Sequence, residues 1–399
     1  MKKACLAGIL GGLSLFFGLF LQGFSQESFY KFGVTKSGLY RFDADRLNEL
    51  GISSLDEVAF FGYPGRLPQK LDSGTFSLRE IPAKRVNNEL LIFLSGPHSL
   101  DLIDGELEYR HHYYSDTLYY LIGSKENPKR LESETQVSPQ AEPITLYEWA
   151  TVKGEDRNIL NSGRTWYSEP VSSGSLRSIP FRQSTESSAD WLLQGRVMAQ
   201  SFQSSQVSIL ESGSSIFQTN ISPIPNSLYG IKGVEAAVNA SFNPANQEVN
   251  TLELAYNSSD NNATAYFEHL LLGVPNESPE IQSGLYFNLS GQAFSHGCNE
   301  CEIWEVSDFY KPITFQNNGF AQGGKLVFSR SSDLLNIPTL SPAESNIRTV
   351  GSWPELLIIT DQNLLPEAEK LSTHKLGQGI LSEVVTLKEI YDAFGSGNK

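Results

Sequence analysis

Apolar and polar residues alternate with a period of two through most of this chain. A helical period surfaces only around residues 43–52 and near the carboxyl end. "SFYKFGVTKSGLYRF" (residues 28–42) alternates around Ser37-Gly38 and predicts a β-hairpin. "DADRLNELGI" follows as a short helix, with Asp43 or Asp45 as N-cap, Leu47 and Leu50 on one face and Gly51 as its stop. "EVAFFGYPG", "ELLIFLSGP" and "HHYYSDTLYYLIG" predict buried or aromatic strands, so residues 26–125 read as a small mixed α/β domain. Pro128, Pro139 and Pro143 mark 126–143 as a linker.

From 144 to 335 the helical signal disappears. Short runs such as "WLLQGRVMAQSF", "SQVSILESG", "CEIWEVSD" and "GKLVFSRS", separated by Ser, Asn, Gly and Pro, predict an antiparallel, jelly-roll-like β-sandwich. "AYFEHLLLGVP" suits a helix by propensity, but its place among strands makes it a strand. A second linker, 336–354, carries Pro338, Pro342 and Pro354. Residues 355–399 read as strand, helix, strand and the start of a helix. "ELLIIT" has the unbroken apolar character of a parallel strand buried on both faces. Leu364, Ala368, Leu371 and Leu376 form a helical stripe that stops at Gly377 or Gly379. The fold class is therefore mainly β with α/β parts, ending in an incomplete βαβ unit.

Composition changes this picture at three points. Lys2 and Lys3, the apolar run Leu6 to Leu21, and the small residues Gly23 and Ser25 make 1–25 a secretory signal peptide. That run is shorter than the roughly 20 residues a spanning helix needs, and Cys5 precedes it, which excludes a lipoprotein signal. No later segment is apolar enough to span a membrane as a helix, so the expected location is periplasm, outer membrane or cell surface. The formal charge of −15 disfavours nucleic acid as a partner. After signal removal only Cys298 and Cys301 remain, so the cores must be hydrophobic, and 40% apolar residues suffice for that.

No phosphate loop, dinucleotide fingerprint or HExxH is present, and no cofactor is expected. "HGCNEC" places His296 beside Cys298 and Cys301. A local disulfide formed in an oxidising space, or a pair of unpaired structural thiols, is the favoured reading; a metal half-site and a redox pair are the alternatives. His111 and His112 are adjacent, so on a strand they point to opposite faces and do not share one ion. Asp43 and Asp45 read as capping residues rather than an acid pair. His374 reads as a surface residue of the tail helix. His98 and His269 complete the six histidines, and none has a catalytic partner in sequence.

"FYKFGVTKSGLYRF", "AFFGYPGRLPQ", "LIFLSGPHSL", "HHYYSDTLYYL", "NILNSGRTWYSEPV", "CEIWEVSDFYKPI" and "LLIITDQNLLPEAEKLSTHKLGQG" through "VVTLKEIYDAFGSG" occur in that order. Together they resemble the amino-terminal half of the type IX secretion sortases of Bacteroidetes, members of the gingipain-like cysteine peptidases. The resemblance covers nearly the whole mature chain. It implies cleavage of cargo sorting domains and transfer of the new carboxyl terminus to lipopolysaccharide, through a thioester on a cysteine. It also implies exported cargo and outer-membrane secretion components as partners. The tail would be the first βαβ of the peptidase domain, ahead of the catalytic His and Cys, so these residues alone are expected to lack peptidase or transpeptidase activity. Because "NSGRTWYSE" is distinctive of the family, Asn161, Ser162, Arg164 and Trp166 are expected at a contact between domains. The alternative is an exported cell-surface binding or adaptor module. Lacking neighbouring strands, the tail is expected to lean on the sandwich or to be loose.

Overall fold

The computed structural model describes residues 29–398 apart from 71–76, 104–105, 132–133, 138–141, 278–280, 299, 317–318, 344–346 and 348–353. The expected signal peptide lies outside the described residues. About half of the chain is β-strand, mainly in antiparallel sheets, and no helix among the described residues is long and apolar enough to cross a membrane.

The amino-terminal module is built from two sheets packed face to face. One runs in the order Ser341–Ala343, Phe29–Val34, Leu118–Ser124, Val58–Phe61, Glu80–Ile81; the other runs Leu335–Asn336, Gly38–Asp43, Glu89–Leu94, Lys84–Val86. The expected hairpin is not formed. Phe29–Val34 pairs with Leu118–Ser124, and Gly38–Asp43 pairs with Glu89–Leu94. The bend between them carries the chain from one sheet to the other, which sends Phe32 and Phe42 into the interior from opposite sides, both fully buried. The Ser37 hydroxyl accepts from Gly96 N–H at 2.9 Å, and a Cβ at Gly96 would meet the Lys36 backbone at 3.0 Å. Alternation alone does not distinguish a hairpin from such a corner.

The α part of this module is one helical turn, Leu47–Leu50, stopped by Gly51 at φ 66°. Asp43 has extended N-cap geometry before the 3-10 turn Ala44–Arg46, but its side chain makes no capping bond there. Arg46 ties this segment to its neighbours instead, bonding Glu49 and the Pro338 carbonyl.

A larger sheet follows the order Glu134–Thr135, Ile313–Phe315, Cys301–Glu305, Lys325–Arg330, Gly284–Phe287, Thr145–Lys153, Thr264–Glu277, Trp191–Gln200, Val234–Phe242. A four-stranded sheet, Leu176–Ser184, Glu248–Ser258, Ser205–Glu211, Ser214–Ile221, packs on its second half. Trp191, Leu193, Val207, Ile209, Leu252, Leu254, Leu270 and Leu272 are fully buried between the two. "AYFEHLLLGVP" lies within the 14-residue strand Thr264–Glu277. Sheet neighbours on both sides of that strand use its backbone groups, and the packed core outweighs its helix propensity.

The first half of the large sheet serves two cores at once. Side chains alternate across a strand. Ile303, Leu326 and Phe328 therefore join a local core with Phe294, while Trp304 and Val327 enter the amino-terminal core beside Phe309, Leu334 and Ile337. Charges fasten the same seam: Lys84 meets Glu134 at 2.6 Å and Glu302 at 2.7 Å, and Lys325, 4% exposed, meets Asp101 at 2.7 Å. Both stretches expected as linkers carry strand: Glu134–Thr135 in 126–143, and Ser341–Ala343 with the end of Leu335–Asn336 in 336–354.

In the tail, Leu356–Thr360 and Ser382–Thr386 pair in parallel. Helix Leu365–Leu376 covers one face, and helix Leu387–Gly395 opens with a capping box between Thr386 and Glu389. Of the apolar stripe on the first helix only Ala368 is buried. Leu364, Leu371 and Leu376 stay exposed, as do Leu357 and Ile359 on the strand, because two strands and one helix cannot cover one another. For the tail, the expected support is the sandwich. The tail docks on the amino-terminal module. Asp392, fully buried, forms an ion pair with Lys31 and accepts from Lys388 at 3.2 Å. The Asn398 amide accepts from Tyr119 N–H at 2.7 Å and donates to Tyr119 O at 2.9 Å.

Candidate functional site

The loop holding Asn161, Ser162, Arg164 and Trp166 is closed at its base by an isolated bridge between Arg157 and Tyr167. Asn161 takes φ 51°, a left-handed turn conformation that asparagine tolerates. Ser162 accepts backbone N–H bonds from Arg164 and Thr165 at 3.2 Å. All four residues are exposed, Trp166 to 38%. The bridge faces Tyr167 inward instead: it is fully buried and donates to Glu235 at 2.6 Å. Tyr167 and Trp166 differ in burial because neighbouring residues on extended backbone face opposite ways.

Cys298 and Cys301 lie in the local core with Phe294 and Ile303, 1% and 6% exposed, with their Cα atoms 5.9 Å apart and their sulfurs bonded to each other. Glu300 between them takes φ 57°, which turns the chain into strand Cys301–Glu305. His296 is also buried, its ring edge-on to Phe328 at 5.4 Å. Burial lowers its pKa, and neither ring nitrogen has a hydrogen-bond partner among the described residues. Among the described residues no group of three or more His, Cys, Asp or Glu is placed to hold a metal ion. The expected result for the exported protein is resistance of both cysteines to alkylation until reductant is added, read as two added labels by intact mass. Because the loop is so short, closing it is worth at most about 2 kcal/mol. Labelling of both thiols without reductant, or a stoichiometric zinc, contradicts this.

Four of the six histidines gather where the segment 98–116 meets the sandwich. The His98 and His111 rings stack at 4.3 Å, 6° from parallel. His98 Nδ1 accepts from His112 N–H at 3.3 Å, and its Nε2 lies 3.4 Å from Asp116. Tyr109 reaches His111 Nδ1 at 3.4 Å and packs its ring 4.9 Å from that of His269, on strand Thr264–Glu277. His111 Nε2 is 3.6 Å from Glu155. Burial, then His98 and Lys153, pushes His111 down to about 4. Burial, His98 and Arg66 lower His112. Lys153 gives its ammonium to the carbonyls of Gly154, Trp166 and Glu268, and burial lowers it. No local sequence pattern marks this joint. His111 is visible as a residue, but His269 lies far along the chain and nothing local links them.

A cavity of 480 Å³ opens where the tail meets the amino-terminal module. Asp361 and Leu387, each just past the carboxyl end of a tail strand, form one side; Tyr114, Thr117 and Tyr119 form the other. Open α/β sheets bind ligands at the carboxyl ends of their strands. His374 stands exposed on the tail helix and contacts Gln378 at 3.2 Å.

The chain matches no family model and no curated protein. Among solved structures it is similar to dimeric latent PorU from Porphyromonas gingivalis, at 21% identity and a TM-score of 0.76, over 93% of this chain and 38% of that one. The chain thus spans well under half the length of that protein. Weaker likenesses include the K1 adhesin domain of Lys-gingipain from Porphyromonas gingivalis (13% identity, TM-score 0.19, 34% of this chain and 97% of that one). Another is the carbohydrate-binding module CBM36 in complex with calcium and xylotriose (12% identity, TM-score 0.20, 30% and 97%). The fold is PorU-like; at these identities the likeness speaks for fold alone.

Proposed function

We propose that these residues form the non-catalytic amino-terminal portion of a gingipain-like sortase of the type IX secretion system, of the PorU type, exported through residues 1–25 to the periplasm, outer membrane or cell surface. One observation carries the reading: a single PorU-like fold accounts for 93% of the chain, with the resembling motifs in family order along it. The role is scaffolding. The amino-terminal module grips the first βαβ of the peptidase domain through Lys31, Tyr119, Asp392 and Asn398, and faces the carboxyl ends of its strands. In the family, the chemistry cleaves cargo sorting domains and transfers the cargo to lipopolysaccharide. No residue among 29–398 is assigned to that chemistry, and the two cysteines there are bonded to each other. Cargo and outer-membrane secretion components are the partners this reading implies.

The test is a chimera. A PorU-type sortase whose amino-terminal half is replaced by residues 26–399, joined within the peptidase domain, is expected to restore sorting-domain cleavage in a sortase-deficient strain. A folded, exported chimera that leaves cargo uncleaved refutes the reading. The second reading, an exported binding or adaptor module, is favoured by the loop bearing Leu228, Tyr229 and Ile231, exposed to 79%, 94% and 59%. In that case residues 26–399 alone would retain a cell-surface partner in the same strain.

A further inference from the structure

We propose that the contact between the segment 98–116 and the sandwich is a proton-operated latch, closed at neutral pH and released by acid. The latch consists of the stacked His98 and His111 rings, with Tyr109 set between His111 and His269. Its geometry leaves little room for added positive charge. His111 is 17% exposed at its side chain and His112 is 3% exposed.

The charges facing it come from every side. On the amino-terminal module they are Asp116 beside His98 and Arg66 beside His112. On strand Thr145–Lys153 and the loop after it they are Lys153 and Glu155. On strand Thr264–Glu277 it is Glu268, 3.5 Å from His269 and 3.7 Å from Arg196 of the adjoining strand. Burial opposes ionisation of Glu268, but His269, Lys153 and Arg196 together hold its carboxyl below the ordinary value. The carboxylates within reach are therefore already committed to cations, apart from the exposed Asp116 and Glu155. A proton on His111 would place a cation against the His98 ring, near Lys153, in a partly dry joint.

The direction follows from linkage. A histidine freed from the joint takes its proton near its ordinary value of about 6.5. Docked His111 takes one only near 4, and docked His112 also lies below the ordinary value. The closed joint is therefore at full strength above about 6.5 and is progressively lost as pH falls from there toward 4. Acid favours the state in which segment 98–116 lifts from the sandwich. The rest of the seam is fastened elsewhere, by Trp304 and by the Lys84 ion pairs, whereas the Lys325–Asp101 pair lies on the segment itself and opposes its release.

Hydrogen exchange of residues 26–399 between pH 7.5 and pH 4.5, corrected for the intrinsic pH dependence of exchange, tests this. Peptides covering 106–116 and 264–270 are expected to lose protection at least tenfold, with a midpoint between 4 and 6.5, while peptides covering 191–200 and 248–258 keep theirs. His111→Phe, which keeps a flat ring but takes no proton, is expected to move the midpoint down or abolish the transition. His111→Gln serves the same end should the larger ring loosen the joint at pH 7.5. His374→Gln, on the exposed tail helix, should leave the profile unchanged. Protection retained at pH 4.5 in the wild-type chain, or the same acid transition in both His111 variants, overturns the latch.

Discussion

Replacing Trp304 by alanine is expected to lower the unfolding free energy by about 3–5 kcal/mol, the usual cost of emptying a fully buried aromatic site. Trp304 is 0% exposed and donates its Nε1–H to Glu302 at 3.1 Å. It belongs by sequence to the region expected as a separate sandwich, but its ring lies in the core built by Phe32, Phe42, Phe60 and Tyr120. The loss should therefore appear in the amino-terminal module, not only in the strand that carries Trp304. Urea unfolding is the measurement, followed by hydrogen exchange at 90–94 and 118–122. A shift under about 1 kcal/mol, or a loss confined to 301–330, would mean that the two regions fold as independent units. Ile303→Val offers the contrast: it removes one methyl group from the neighbouring core and should cost only about 1 kcal/mol.

The strand content was legible in the sequence because period-two alternation reports one buried face wherever a sheet is half covered. What alternation cannot report is which sheet a strand joins. Residues 28–42 show this. Both strands form where the pattern places them, yet they separate at Ser37, because the interior between two sheets rewards Phe32 and Phe42 from opposite sides more than pairing rewards a hairpin. Likewise "CEIWEV" is plainly a strand, but alternation does not say that Ile303 and Trp304 belong to different cores. The short strands within the two proline-bearing stretches have a related origin. Prolines disfavour central strands but allow short edge strands, and Ser341–Ala343, with Pro342 in its middle, is one. As for the sites, the proximity of Cys298 and Cys301 is set by three residues of chain. The histidine joint depends on long-range packing, and its members carry no shared local motif.

Breaking the tail's anchor is expected to free it without unfolding the rest. Asp392 is fully buried, and each of its oxygens meets an ammonium, Lys31 on one side and Lys388 on the other. Asp392→Ala leaves Lys31 facing the seam without its carboxylate. Removing one partner of a buried pair costs about 3–5 kcal/mol, and the lower end applies here because Lys31 retains 16% exposure and can turn toward water. Adding Asn398→Ala removes two bonds to the Tyr119 backbone, at about 1 kcal/mol each. With both polar anchors gone, the double variant should expose the segment 354–398 to protease at least tenfold faster than the wild type. Meanwhile the urea midpoint of the remaining modules should change little. Their cores, around Phe42 and Trp191, take no side chain from the tail. Solubility should fall, since Leu357 and Ile359 already stand half exposed on an open sheet and a detached tail would present its other face as well. A tail that stays protected in the double variant would show that the helix Leu387–Gly395 docks by shape against Ser341–Ala343 rather than by these polar anchors. Unfolding of the whole protein would instead make the tail a structural member of the amino-terminal module, joined through the short edge strand that both of them touch.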